Sequence, residues 1–317
     1  MIPQATADLY RVNRLRYALL LRAILAEWAR LTPSNDWDAA WRVAGPRITG
    51  LVTAAQAGAA ADGARSVGLA FAELGVDEVP LATVVPAAFA GVASDGRPLD
   101  SLMRQSVATA RAAGSAEEGL AAGSRWLAIA TKLQLNDAAR QATATTIVAT
   151  PGAGWVRYVS PPCCQDCAVQ AGKWFRWNQG FLRHPNCDCV HRPAHSSEQP
   201  ASYTETVPID QIHDLTEAQR MALEDGADIS QVVNAYRRAA RDKSGRVAEG
   251  ARERMGFTTE GTTPRGWASY VARADGRSGP RPTPELIYRN ARTRQEAVDL
   301  LHRFGYVVGP NVPIAGR

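Results

Sequence analysis

The chain has 317 residues, 36 Lys+Arg against 31 Asp+Glu, a formal charge of +5, 45% hydrophobic and 21% charged residues. That balance excludes a wholly disordered polymer, and a charge of +5 over this length is too mild to imply a nucleic-acid partner by itself. The length exceeds the usual single-core limit of roughly 250–300 residues, so two or three modules are expected.

The N-terminal segment Met1 to Leu31 is apolar, but Arg11, Arg14, Arg16, Arg22 and Arg30 run through it and no small-residue cleavage site follows. It does not read as an export signal, and no stretch of about 18 uninterrupted apolar residues predicts a membrane span. A soluble, cytosolic chain is the expectation. Over Thr6–Leu31, Leu9, Val12, Leu15, Leu19, Ala23 and Trp28 recur at helical steps and are assigned to one packed face. A second helix is expected after Asp36, carrying Trp37, Trp41, Ile48, Val52 and Ala55, with a kink or restart at Pro46. Pro80 and Pro86 mark a loop or short helical pieces. Helical patterns follow over Leu99–Ala113 and Ala116–Leu133, and Asn136 or Asp137 is read as the cap of another over Ala138–Ala149.

Composition changes at Thr150-Pro151-Gly152-Ala153-Gly154. Trp155–Val159 alternates like a strand, Ala171-Gly172-Lys173 is a turn before Trp174–Trp177, and Val190 with its neighbours supplies a third strand. The small module is expected to end near Pro193, with His195–Pro200 as a linker. Beyond it, Leu215–Glu224 reads as a helix stopped by Gly226. Asp228 with Gln231 opens another through about Arg241. Gly256 to Pro284 lacks periodicity and reads as extended. Thr283-Pro284 and Thr293 with Glu296 each start a short helix, the last ending near Gly305. The expected fold class is therefore α+β. It comprises a mainly helical region (1–150), a small β-rich module (151–195) and a basic, helical and partly extended region (196–317).

All five cysteines fall between Cys163 and Cys189. The order is Cys163-Cys164-x2-Cys167, then His184-x2-Cys187-x-Cys189 and His191. A C-x2-C pair forms a tight turn that presents two thiolates to one ion, and Cys187 and Cys189, two apart, share one face of a strand. Two such pairs make a tetrahedral sulfur site suited to Zn²⁺. Cys164, Cys167, Cys187 and Cys189 are the favoured ligands. His184 is the first reserve, His191 is near enough to substitute, and Cys163 is the spare. Four protein ligands leave no open position, so the zinc would be structural. The competing readings are disulfides, which an odd cysteine count and the missing export signal disfavour, and a metal-free set of buried thiols. No G-x-S-x-G, H-E-x-x-H or Walker A pattern is present, and His195, His213 and His302 have no evident nucleophile partner, so no catalytic residue is assigned.

The stretch W-V-R-Y-V-S-P-P-C-C-Q-D-C-A-V-Q-A-G-K from Trp155, followed by H-P-N-C-D-C-V from His184, resembles the Mu F-like minor head, or head-morphogenesis, proteins of tailed bacteriophages. Thr258–Gly266 and Thr283–Tyr288 look like the actinobacteriophage branch of that family. The resemblance implies a late phage protein made beside the portal protein, carried in the virion head in low copy after assembly in the host cytoplasm. Its metal-type positions fall on Cys164, Cys167, His184, Cys187 and Cys189. The chain departs from the pattern in Cys163 and in Asp188, where a basic residue is common.

The expected partners are the portal protein and capsid or scaffold proteins. Residues 236–317 hold 16 Lys+Arg against 8 Asp+Glu, so this basic tail is where an acidic partner, packaged DNA included, would bind. No membrane partner is expected. Members of this branch are sometimes labelled capsid maturation proteases, which remains the enzymatic alternative, although no protease dyad supports it. A zinc-containing DNA-binding protein is the third reading, resting on Trp174-Phe175-Arg176-Trp177.

Overall fold

The computed structural model describes residues 3–30, 36–184, 187–196, 206–236, 256–258, 260, 267–277 and 279–307. It is α+β with a mainly helical N-terminal part. In chain order the first elements are α1 (Gln4–Ala29), α2 (Trp37–Glu73), α3 (Leu99–Met103), α4 (Gln105–Arg111) and α5 (Ala116–Ala149). Then come β1 (Ala153–Tyr158), β2 (Cys163–Cys164), α6 (Gln165–Gln170), β3 (Trp174–Arg176), β4 (Val190–His195), β5 (Ile212–His213), α7 (Glu217–Glu224) and α8 (Ile229–Asn234). The chain divides into two units, Met1–Val159 with Gly172–Thr204, and Ser160–Ala171 with Glu205–Arg317. No described helix is long and apolar enough to cross a membrane.

In the first unit, α1 buries Leu9, Asn13, Leu20, Ile24 and Trp28, whereas Val12, Leu15 and Leu19 are exposed. The assignment of all these apolar residues to one face is thus corrected. The helix carries two apolar stripes, and the one containing the large Trp28 indole faces the core. Asp36 caps α2 by accepting from the Ala39 amide at 2.9 Å. The helix then runs through Pro46 as one element, so of the kink or restart expected there the restart does not occur. An interior proline costs roughly 3 kcal/mol. Burial of Trp41, Ile48 and Val52 on either side offsets that cost.

Helix α5 is likewise a single element, begun by Ser115, whose hydroxyl accepts from the Glu118 amide at 3.2 Å. Asn136 and Asp137 are not caps; both are buried in its middle. Helices α2 and α5 approach closely at Gly63, where an added Cβ would stand 2.4 Å from the Ala139 carbonyl oxygen. Alanine favours helix over glycine by about 1 kcal/mol, yet Gly63→Ala is expected to destabilise the first unit. The obstacle is backbone that cannot swing aside. A thermal melt of this variant above that of the wild type would contradict the crossing.

The sheet of this unit has the order β3-β1-β4, antiparallel throughout, with Trp155 opposite Phe175 on one side and Pro193 on the other. The alternation read in β1 does not leave a wet face, because Ala153 through Arg157 are all buried. One face packs Ala153 and Trp155 with Val67, Phe71 and Ile147; the other packs Val156 with Ala194 and Trp174. A central strand covered on both sides needs no polar face. Strand β4 passes the expected end at Pro193 and reaches His195; of the expected linker, Ser197 to Pro200 lie outside the described residues.

In the second unit β2 pairs parallel with β5, Cys163 opposite Ile212 and Cys164 opposite His213. Thr216 and Gln219 form a reciprocal capping box on α7, and Asp228 accepts from the Gln231 amide at 3.0 Å to start α8. Helix α8 ends at Asn234, short of the expected end near Arg241; residues 237–241 lie outside the described residues. Thr283 and Thr293 cap the helices Pro284–Asn290 and Arg294–Arg303 as expected, and Gly226 and Gly305 follow helices at φ of 90° and 70°. Within the stretch read as extended, Trp267–Ala274 is a helix. The core of this unit gathers Ala222, Val232, Ile287, Leu301 and Tyr306.

Candidate metal centre

Cys163, Cys164 and Cys167 lie in the connection between β1 and β3. The neck of this connection is closed by Gly172 N–H donating to the Arg157 carbonyl at 3.1 Å and Arg157 N–H donating to the Lys173 carbonyl at 3.3 Å. Gly172 sits at φ 67°, a left-handed value that a side chain would strain. Within the connection, Cys164 is extended and its Sγ accepts from the Cys167 amide at 3.4 Å. That bond turns the chain so that Cys164 and Cys167, three residues apart, aim at a common point.

His184 is set by its surroundings in the first unit. The preceding segment is anchored by Phe181, whose ring stacks on Trp155 at 5.1 Å and lies beneath the Arg157 guanidinium at 3.9 Å. Arg157 also donates to the Leu182 carbonyl. Arg183 pairs with Asp137 of α5 and donates to Ser94 Oγ at 3.1 Å. Cys187 and Cys189 lie just before β4 and are 2% and 1% exposed. Between them Asp188 turns away, accepting from Tyr10 O–H at 3.1 Å with Lys132 Nζ at 3.9 Å.

Two triads of donor atoms result. Those of Cys164, Cys167 and His184 lie within 4.8 Å of one another, as do those of Cys167, Cys187 and Cys189. Together they can hold a metal ion. Zn–S bonds of about 2.3 Å put tetrahedral sulfurs about 3.8 Å apart, so each triad needs only a small contraction to ligate. Sulfur and imidazole are soft donors, a set suited to zinc, copper(I) or iron and not to calcium or magnesium.

All five residues singled out from the sequence fall in one triad or the other, and Cys167 is in both. Cys163, the expected spare, is in neither, and is buried in the β2–β5 pair. His191, weighed as a substitute ligand, is also in neither. Its ring packs against Trp155 at 4.5 Å and Phe181 at 4.6 Å. Burial, and after it the charges of Arg140 and Arg157, hold its pKa well below the usual imidazole range.

Sequence reasoning missed Arg140. This side chain of α5 is 4% exposed. Its Nε donates to the Cys189 carbonyl at 2.9 Å, its Nη2 to the Cys187 carbonyl at 2.7 Å and its Nη1 to Asp137 Oδ1 at 3.0 Å. The available signal was an Asp and an Arg three residues apart in a helical segment that also carries Leu135, Ala138, Ala139 and Ala142. No protein-family model, curated protein or solved structure matches the chain.

Proposed function

We propose that the chain is a minor head protein of a tailed bacteriophage, built around a structural Zn²⁺, that acts near the portal during head assembly and DNA packaging or delivery. The observation that carries this reading is the convergence of Cys164, Cys167, His184, Cys187 and Cys189. These are the positions that the resemblance to Mu F-like proteins marks in the sequence. The ligands are Cys167, Cys187 and Cys189, completed by Cys164 or His184. A full set of protein donors leaves zinc no open position for water, so its task is to hold the chain's shape. The zinc-held element would present a rigid surface to the portal or its neighbours, and the basic stretch 236–317 would meet acidic portal surfaces or packaged DNA.

The experiment is to make phage particles without this protein. The reading predicts defective heads, or heads that fail to deliver DNA, with this chain present in few copies per wild-type particle. Normal particles of normal infectivity would overturn it.

A further inference from the structure

We infer that the buried Asp137–Arg140 pair of α5 is the positioning element of the metal centre, holding the Cys187-Asp188-Cys189 half of the ligand set in place before an ion arrives. This inference rests on the metal reading above and adds residues to it that the cysteine pattern does not contain.

Arg140 bridges its own helix and the cysteine segment. One edge of the guanidinium takes the carbonyls of Cys187 and Cys189, two residues apart, at 2.7 and 2.9 Å. A rigid fork bonded to both ends of that segment fixes the orientation of the peptides between them. Nη2 also lies 3.7 Å from Cys187 Sγ. Asp137 holds the other edge of the fork at 3.0 Å and pairs with Arg183, the residue before His184. The pair thus touches the backbone of two candidate ligands and the neighbour of a third.

Stability alone does not account for such a pair. Asp137 and Arg140 are each 4% exposed, and around them on the helix Leu135, Ala138, Ala139 and Ala142 are buried beside the neutral Gln134, Asn136 and Thr143. Burying two charges costs more than packing two apolar side chains of the same size, so a buried ion pair is weak evidence for a purely stabilising role. A thiolate-rich ligand set also keeps net negative charge after binding Zn²⁺. A fixed cation beside Cys187 offsets it. Polar groups that orient metal ligands typically change affinity by about 10- to 100-fold when removed.

The test uses the full chain in three forms: wild type, Arg140→Lys, and the neutral pair Asp137→Asn with Arg140→Gln. Zn²⁺ affinity is measured by competition with a chromophoric chelator, and the Co²⁺-loaded absorption spectrum reports thiolate geometry. Both altered forms are expected to bind Zn²⁺ about 10- to 100-fold more weakly, with weakened thiolate-to-Co²⁺ bands. A merely structural role would lower the melting temperature without altering the Co²⁺ spectrum of folded protein. Either altered form matching the wild type in affinity and spectrum overturns the inference while leaving the metal reading intact. A wild type that binds neither ion overturns both.

A second measurement needs no substitution. In metal-free wild type, iodoacetamide should label Cys187 and Cys189 more slowly than Cys164. Labelling of Cys187 and Cys189 as fast as in denatured chain would contradict a half-site built in advance.

Discussion

Cys167→Ser is expected to abolish metal binding, lowering zinc from about one equivalent per chain to below about a tenth. Cys167 is the one donor in both triads, so its loss leaves only Cys164 with His184 and Cys187 with Cys189. Neither pair is a complete ligand set. Structural zinc in small modules binds with roughly 10–16 kcal/mol, more than any single hydrogen bond supplies. The loss should appear first in the connection that carries Cys167, whose β2 has two residues and whose α6 has six. A helix that short has little stability of its own. Limited proteolysis should therefore cut between residues 160 and 189 faster in the serine form. Far-UV circular dichroism should barely change, because the core of α1, α2 and α5 contains none of the ligands. Cys163→Ser is the matched control, a buried cysteine outside both triads that should leave zinc at about one equivalent. Equal zinc loss in both forms would contradict the assignment.

Trp28→Ala is expected to cost the first unit about 3–5 kcal/mol, the range for emptying a buried aromatic site. The indole is 1% exposed, stacks on Trp37 at 6.1 Å and 11°, and donates from Nε1 to the Leu120 carbonyl at 2.9 Å. Its seat is a groove on α5. A Cβ on Gly123 would lie 2.2 Å from the Trp28 ring, and one on Gly119 would lie 2.7 Å from both the Trp37 ring and the Ala110 carbonyl oxygen. The thermal midpoint should fall by on the order of 10 °C. Gly123→Ala strikes the same contact from the other side. In the doubly substituted chain the new methyl meets no indole, so the two costs should fall short of additive by about 0.5–3 kcal/mol. Additive losses would show that the two residues do not share this contact.

What could be read without coordinates follows the range of the interactions. Helix starts at Asp36, Asp228, Thr283 and Thr293 were legible because each cap bonds an amide three residues away. The donor set was legible for a similar reason, since its spacing is local and its residue types are chemically narrow. The packed face of α1 was not. Val12, Leu15 and Leu19 are as apolar as the residues that are buried, and only the seating of Trp28 against α5 decides between the stripes. Asp137 was mistaken for a cap because an aspartate in a helical pattern reads that way until its buried partner is known. The partner's task is longer in range still, for Arg140 reaches carbonyls 47 and 49 residues away. The helix Trp267–Ala274 was missed because glycine and proline interrupt its flanks and its eight residues make only about two turns.

Cys167, Cys187 and Cys189, completed by Cys164 or His184, are proposed to hold one zinc ion per chain. The direct measurement is the metal content of the full chain, purified under reducing conditions and without chelators, by inductively coupled plasma mass spectrometry. The account predicts about one equivalent of zinc, removed only with a strong chelator and restored on dialysis against Zn²⁺; less than about half an equivalent, with none regained on dialysis, would contradict it.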